Sequence, residues 1–133
     1  MSTPAPSLLR VLLVENSLPV RWRLRRLIEE ACPAEIVGET GSVEEALQLF
    51  DAHRPDAVVL DLQLDDGDGC LISSQIKSGN ASCAVIVLSN FGTSAFRHWA
   101  LSSGADHFFD KALEFDRVLE VLRDLASRRS ARV

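Results

Sequence analysis

The chain contains no apolar run near the ~18 residues that a membrane-crossing helix needs, so a transmembrane segment is not expected. Its first residues, Met-Ser-Thr-Pro-Ala-Pro-Ser, hold neither a basic stretch nor a long apolar one, which argues against a signal peptide. They read as a flexible tail over 1–7, and the expected location is the cytoplasm. Cysteine is scarce: Cys32, Cys70 and Cys83 are odd in number and scattered, without the close pairs of a zinc site or a secreted disulfide framework. Buried, reduced thiols are expected. His53, His98 and His107 share no metal-ligand spacing and are expected on the surface. Repeats and low-complexity segments are absent. Excess positive charge is absent too: the net charge of −5 gives a field that does not favour nucleic acid.

What is present is ordinary globular material. Hydrophobic residues make up 47% and charged residues 25% of 133, which points to one folded domain and away from general disorder. At that length roughly two-thirds of the extended chain's surface can be buried.

Five short apolar runs punctuate the sequence, each followed by a segment of helical period. They are Leu8 to Val14, Glu35 to Glu39 (weaker and mixed), Ala57 to Leu60, Ala84 to Leu88, and His107 to Phe109. Continuous runs rich in Val, Ile and Leu read as strands buried on both faces, as in a parallel sheet. Between Pro19 and Ala31, Val20, Leu24, Leu27, Ile28 and Ala31 fall on one helical face, and four arginines largely cover the rest. Those arginines read equally as a solvated face or as a docking surface. Ser42 with Glu45 three residues on is a capping-box signature. Further helices fit Gly69 to Ser78, Thr93 to Ser103 and Leu113 to Ala126, with Ser127 to Val133 as a basic, frayed tail. Phe96 and Trp99, three apart, read as core. Strand alternating with helix five times predicts an open α/β sheet with helices on both faces.

In such sheets ligands bind at the carboxyl ends of the strands, near the switch in strand order. The polar residues ending the first, third, fourth and fifth runs are Glu15-Asn16, Asp61, Ser89 and Lys111. Together they suit a hard cation plus a phosphoryl group. Carboxylate and amide oxygens match Mg²⁺, lysine and hydroxyl can meet phosphoryl oxygens, and a carboxylate can act as nucleophile.

This ordered set resembles the response-regulator receiver domain, whose chemotaxis-type members consist of that domain alone. Gly69, eight residues after Asp61, and Gly104-Ala105-Asp106 before the last strand also match the family's pattern. The resemblance covers about Leu8 to Ala126. It implies a flavodoxin-like (βα)5 fold, with a receiver domain over 8–127 and tails over 1–7 and 128–133. It implies that Asp61 accepts a phosphoryl group from a histidine kinase or histidine phosphotransfer protein, with Mg²⁺ as cofactor. The metal ligands would be Glu15, Asn16, Asp61 and the backbone carbonyl of Gln63. Lys111 would contact the phosphoryl group, Ser89 would swing to hydrogen-bond it, and Phe108 would turn inward with Ser89. Gln63 and Phe91 would tune dephosphorylation. The chain departs from the family in having Asn16 as the second member of the acidic pair and Asp65 where proline is usual.

On this reading the chain is a switch that assists only its own phosphorylation and dephosphorylation. Its signal would leave by phosphorelay or by a downstream protein, or a second copy of the chain, on the face formed by 93–126. No direct nucleic-acid or membrane partner is expected. Two alternatives come from other classes. One is a pseudo-receiver, an interaction module indifferent to phosphate, which Asn16 keeps open. The other is an aspartyl-phosphate phosphatase, which wants a second Asp where Gln63 stands. The run Asp65-Asp66-Gly67-Asp68-Gly69 hints at calcium, but an EF-hand loop needs an oxygen ligand where Cys70 sits, so a solvated acidic turn is expected.

Overall fold

The computed structural model describes residues 8–64, 66–90 and 94–131. The tail expected over 1–7, together with Asp65, Phe91 and residues 132–133, lies outside the described residues. Five parallel strands form one sheet: β1 (Leu9–Val14), β2 (Ala34–Thr40), β3 (Ala57–Leu60), β6 (Ala84–Ser89) and β7 (His107–Asp110), in the order β2-β1-β3-β6-β7. The helices are α1 (Leu18–Ala31), α2 (Val43–His53), α3 (Gly69–Gly79), α4 (Ser94–Ser102) and α5 (Phe115–Ala131). Two additional two-residue strands, β4 (Gln63–Leu64) and β5 (Gly67–Asp68), pair antiparallel in the loop after β3. The open α/β sheet expected from the sequence is present.

Strand alternation divides the core between the two faces of this sheet. Leu12, Val14, Val58, Leu60, Val85, Val87 and Phe108 pack with Phe50, Ile72, Ile76 and Ala100, which belong to α2, α3 and α4. Val11, Leu13, Val59, Ile86, Leu88 and Phe109 pack with Leu24, Ile28, Val118 and Leu122 of α1 and α5. Both faces are covered, which is why the strands read as continuous apolar runs instead of alternating ones.

The connection order places the crevice. β1 pairs with β2 on one side and β3 on the other, so the chain reverses its direction of travel there. Val14 is level with Leu60, and Leu60 with Val87, which sets the residues that follow them side by side at the carboxyl edge. Beyond the ladders, Glu15 N–H donates to the Thr40 carbonyl at 2.8 Å and Asp61 N–H to that of Val14 at 2.9 Å. Lys111 N–H donates to the Ser89 carbonyl at 2.8 Å.

Three local features differ from the sequence reading. The last helix, expected to end at Ala126, continues to Ala131, so residues 128–131 are helical instead of a frayed tail. Arg129 supplies an anchor there, its NH1 lying 2.8 Å from Asp56 Oδ1, and Asp56 Oδ2 accepts the backbone N–H of Arg10. Trp99, expected in the core, is 46% exposed, because it sits on the outer side of α4 while Ala100 faces the sheet. The capping box at Ser42 is half formed. Ser42 Oγ accepts from Glu45 N–H, but Ser42 N–H donates to Thr40 Oγ1 and not to the Glu45 carboxylate.

Gly69, the first residue of α3, is fixed by a close approach. A Cβ there would lie 2.5 Å from the Asp61 carbonyl oxygen and 2.9 Å from Leu62 Cα, both backbone atoms. Gly69 N–H donates to the Leu62 carbonyl at 2.9 Å, so the helix start cannot back away without losing that bond. Gly69→Ala is therefore expected to lower unfolding free energy by about 1–3 kcal/mol, the usual cost of forcing extra volume into a packed site. Urea denaturation checks this, and an unchanged midpoint would contradict it.

Candidate functional site

Glu15, Asp61, Ser89 and Lys111 converge at the carboxyl edge, each from the end of its own strand. Their placement follows from the sheet register, and their burial from the helices on either side. Glu15 is 1% exposed, Asp61 6% and Ser89 1%. Lys111 Nζ lies between the two acids, 2.8 Å from Glu15 Oε2 and 3.3 Å from Asp61 Oδ2. The other carboxylate oxygens are held by backbone donors. Asp61 Oδ1 accepts from Gln63 N–H at 3.1 Å, and Glu15 Oε1 from Ser17 N–H at 3.1 Å.

Burial pushes the Glu15 carboxyl up from its ordinary value of 4.5, and the neighbouring Asp61 carboxylate adds to this. The Lys111 ammonium and the Ser17 N–H pull it back. One ammonium and two backbone donors serve the pair and offset part of the cost of burying two acids together.

The loop beyond Asp61 is secured at both of its ends. Asp66 Oδ1 accepts the Val43 N–H at 2.7 Å, and Asp66 Oδ2 accepts the Ser42 hydroxyl at 2.8 Å, so this loop residue caps α2. These donors hold the exposed Asp66 carboxyl below the usual range, the Val43 N–H first among them. Asp68 caps α3 by accepting the Cys70 N–H at 2.8 Å. Two members of the acidic turn are thus helix caps, a role the sequence reading missed by treating the run as solvated. The signal was there, since Asp68 immediately precedes Gly69 and a helical pattern.

Asn16 is exposed beside Glu15 and lines an open groove of about 520 Å³ with Arg21, Glu39, Thr40, Ser42 and Asp66. Gln63 is exposed in β4, two residues after Asp61. Phe108 is 2% exposed in β7, one strand over from Ser89. Phe91 lies outside the described residues. The histidines do not approach the site: His53 and His107 are half-buried elsewhere and His98 is exposed.

Among the described residues, no group of three His, Cys, Asp or Glu side chains is placed to hold a metal ion. The available donors are the carboxylates of Glu15 and Asp61, drawn together around one cation position. The Asn16 amide and the Gln63 carbonyl lie on neighbouring residues of the same loops. This all-oxygen set fits Mg²⁺, which takes one or two protein carboxylates and completes its shell with water. It carries less negative charge than a three-carboxylate site would.

Comparison with known proteins gives a concordant picture. A family model described as the response regulator receiver domain matches residues 11–123. The chain is 30% identical over 119 residues to the chemotaxis protein CheY of Listeria monocytogenes, covering 90% of this chain and 99% of that one. It is 29% identical over 116 residues to the chemotaxis protein CheY of Halobacterium salinarum, covering 87% of this chain and 95% of the relative. Among solved structures, a LuxR-family two-component response regulator from Aurantimonas superposes with a TM-score of 0.83 at 27% identity, covering 93% of this chain and 89% of that one. The response regulator domain of Thermotoga maritima CheB superposes with a TM-score of 0.77 at 26% identity, covering 96% and 98%.

The raised Glu15 carboxyl has a pH signature. The folded chain holds the Glu15 proton more tightly than the unfolded chain does. Its contribution to stability is therefore complete below pH 4.5 and is lost as pH rises through the folded value. The unfolding free energy of the wild type minus that of Glu15→Gln should accordingly fall as pH climbs from 4.5 toward neutrality. Urea denaturation of both proteins across that window measures it, and a flat or rising difference contradicts the assignment.

Proposed function

The chain belongs to the response-regulator receiver family, and from that premise we propose that it is a phospho-accepting switch modified on Asp61. The observation that carries this reading is the single Lys111 ammonium within 3.3 Å of Asp61 and 2.8 Å of Glu15 at the carboxyl edge of the sheet. A structural ion pair would need one acid. Two buried acids around one lysine, with a backbone donor to each, make a site prepared for further cationic and anionic groups.

The chemistry asked of the chain is mainly positioning. Asp61 Oδ2, which faces Lys111, is the oxygen that would attack the phosphorus of a phosphohistidine in line. The P–N bond breaks as the O–P bond forms, and the imidazole leaves with the bonding electron pair. Gln63 N–H keeps the other Asp61 oxygen oriented. Lys111 then shifts its hydrogen bonding from the acceptor carboxylate to a phosphoryl oxygen, and the Ser89 hydroxyl offers a second donor. When bound at Glu15, Asp61, Asn16 and the Gln63 carbonyl, Mg²⁺ would supply charge neutralisation for the phosphoryl oxygens.

The phosphodonor is a histidine kinase or histidine phosphotransfer protein, with α1 as its docking face. Trp22 is 61% exposed there beside Arg26, whose guanidinium lies 5.0 Å from the ring centroid. The response leaves through protein contact or phosphorelay. The exposed Trp99, Leu101 and Leu113 support the reading that a downstream protein, or a second copy of the chain, binds on the face of α4, β7 and α5. Among the described residues, no helix is long and apolar enough to cross a membrane.

Two expected outcomes test this reading. With a small phosphodonor and Mg²⁺, the protein should gain an acid-stable, base-labile phosphoryl adduct that peptide mapping assigns to Asp61, and Asp61→Asn should abolish it. An undiminished adduct in that variant refutes the acceptor; a wild type that never labels favours the phosphate-indifferent module instead. Asn16→Asp should tighten Mg²⁺ binding on the order of tenfold or more, the effect of one extra charge at a partly screened contact. Calorimetry measures this, and unchanged or weaker binding would show that Asn16 does not set the metal affinity.

A further inference from the structure

Arg97 reaches from α4 across to the inner edge of the output face. Its guanidinium carbon lies 5.1 Å from the centroid of the Phe108 ring. NH1 of the same group donates to the Phe108 backbone carbonyl at 3.2 Å, and NH2 meets Glu114 Oε1 at 3.4 Å. That Glu114 oxygen also accepts the Asp110 N–H at 3.1 Å, next in sequence to Lys111. One guanidinium therefore joins α4 to the ring of β7, to its backbone, and to the turn that leads from Lys111 into α5. Phe108 is 2% exposed beneath it, while the Arg97 side chain remains 44% exposed.

An exposed arginine paired with one glutamate would contribute little. This arginine differs in what it covers, because a planar cation stacked on an aromatic ring and bonded to that residue's carbonyl restrains both ring and strand. We propose that Arg97 is a positioning residue that holds Phe108 in its buried position. The proposal rests on the reading of Phe108 as the residue that couples Asp61 to the output face. It names what sets that residue's resting position. The buried ring is the inward position expected to accompany phosphorylation, so Arg97 favours that position on its own and a phosphoryl group on Asp61 would add to the same bias.

The test uses the full chain carrying fluorinated phenylalanine, whose six positions give a small spectrum in which Phe108→Leu identifies the resonance of interest. In the unphosphorylated wild type, the Phe108 resonance should be narrow and weakly relaxed by a soluble paramagnetic probe. Arg97→Gln should increase its relaxation by the probe roughly five- to tenfold, from the loss of the ring and carbonyl contacts. Arg97→Lys, which keeps a cation near the ring, should restore part of the protection, and Glu114→Gln should fall between. A Phe108 resonance unchanged in Arg97→Gln overturns the proposal. So does a loss of protection spread evenly over all phenylalanines, which marks Arg97 as a general brace. Beryllofluoride with Mg²⁺ separates this from the phosphorylation reading. If the freed Phe108 ignores beryllofluoride that is shown to bind, Arg97 still positions it and the coupling of Phe108 to Asp61 falls; if protection returns, both stand.

Discussion

The structure depends on one cation shared by two buried carboxylates. Glu15 and Asp61 are each almost wholly removed from water, and isolated carboxylates in such surroundings would be driven to protonate. The Lys111 ammonium, itself buried to 9% side-chain exposure, contacts both acids at 2.8 and 3.3 Å and offsets part of that cost. The geometry requires three strand ends to be level, so sheet register and site electrostatics are one constraint. A slip of one residue in β1 or β3 would turn an acid to the other face of the sheet and leave the lysine with a single partner.

The loops around this triad are held by bonds that serve the helices. Asp66 and Asp68 cap α2 and α3 from the segment that follows Asp61, and Gly69 lets α3 begin against the Asp61 carbonyl. The loop after Asp61 is thereby fixed to two helices on one face of the sheet. On the far side of the same face, Asp106 Oδ2 accepts the Val85 N–H at 2.8 Å and pairs with Lys77 at 2.6 Å, which ties α3 to β6 and to the turn before β7. The carboxyl edge that carries Glu15, Asp61 and Lys111 is thus bonded to α2, α3 and the turn before β7.

Much of this was legible in the sequence, for physical reasons. Runs such as Val11 to Val14 and Val85 to Leu88, short and rich in Val, Ile and Leu, read as strands covered on both faces, and that pattern carries the parallel sheet and the carboxyl-edge location of Glu15, Asp61, Ser89 and Lys111 with it. What pattern could not supply were contacts between segments distant in sequence. Asp66 capping α2 joins residues more than twenty apart, and Arg129 bonding Asp56 extends α5 past the point where apolar period fades. Trp99 was misplaced because helical spacing ties it to Phe96, yet α4 turns Ala100 to the sheet and leaves Trp99 on the rim. Arg97 carried no signal at all until the ring of Phe108 was found beneath it.

The lysines offer direct access to the central interaction, because Lys77 and Lys111 are the two in the sequence. Reductive methylation with labelled formaldehyde gives each a resolved NMR signal, and Lys111→Arg assigns them. The shared-cation account predicts that beryllofluoride with Mg²⁺ shifts the Lys111 signal strongly, as its partner changes from the Asp61 carboxylate to a bound anion, while Lys77 stays in place. A Lys111 signal that does not move when the beryllium complex is shown to bind would contradict the account.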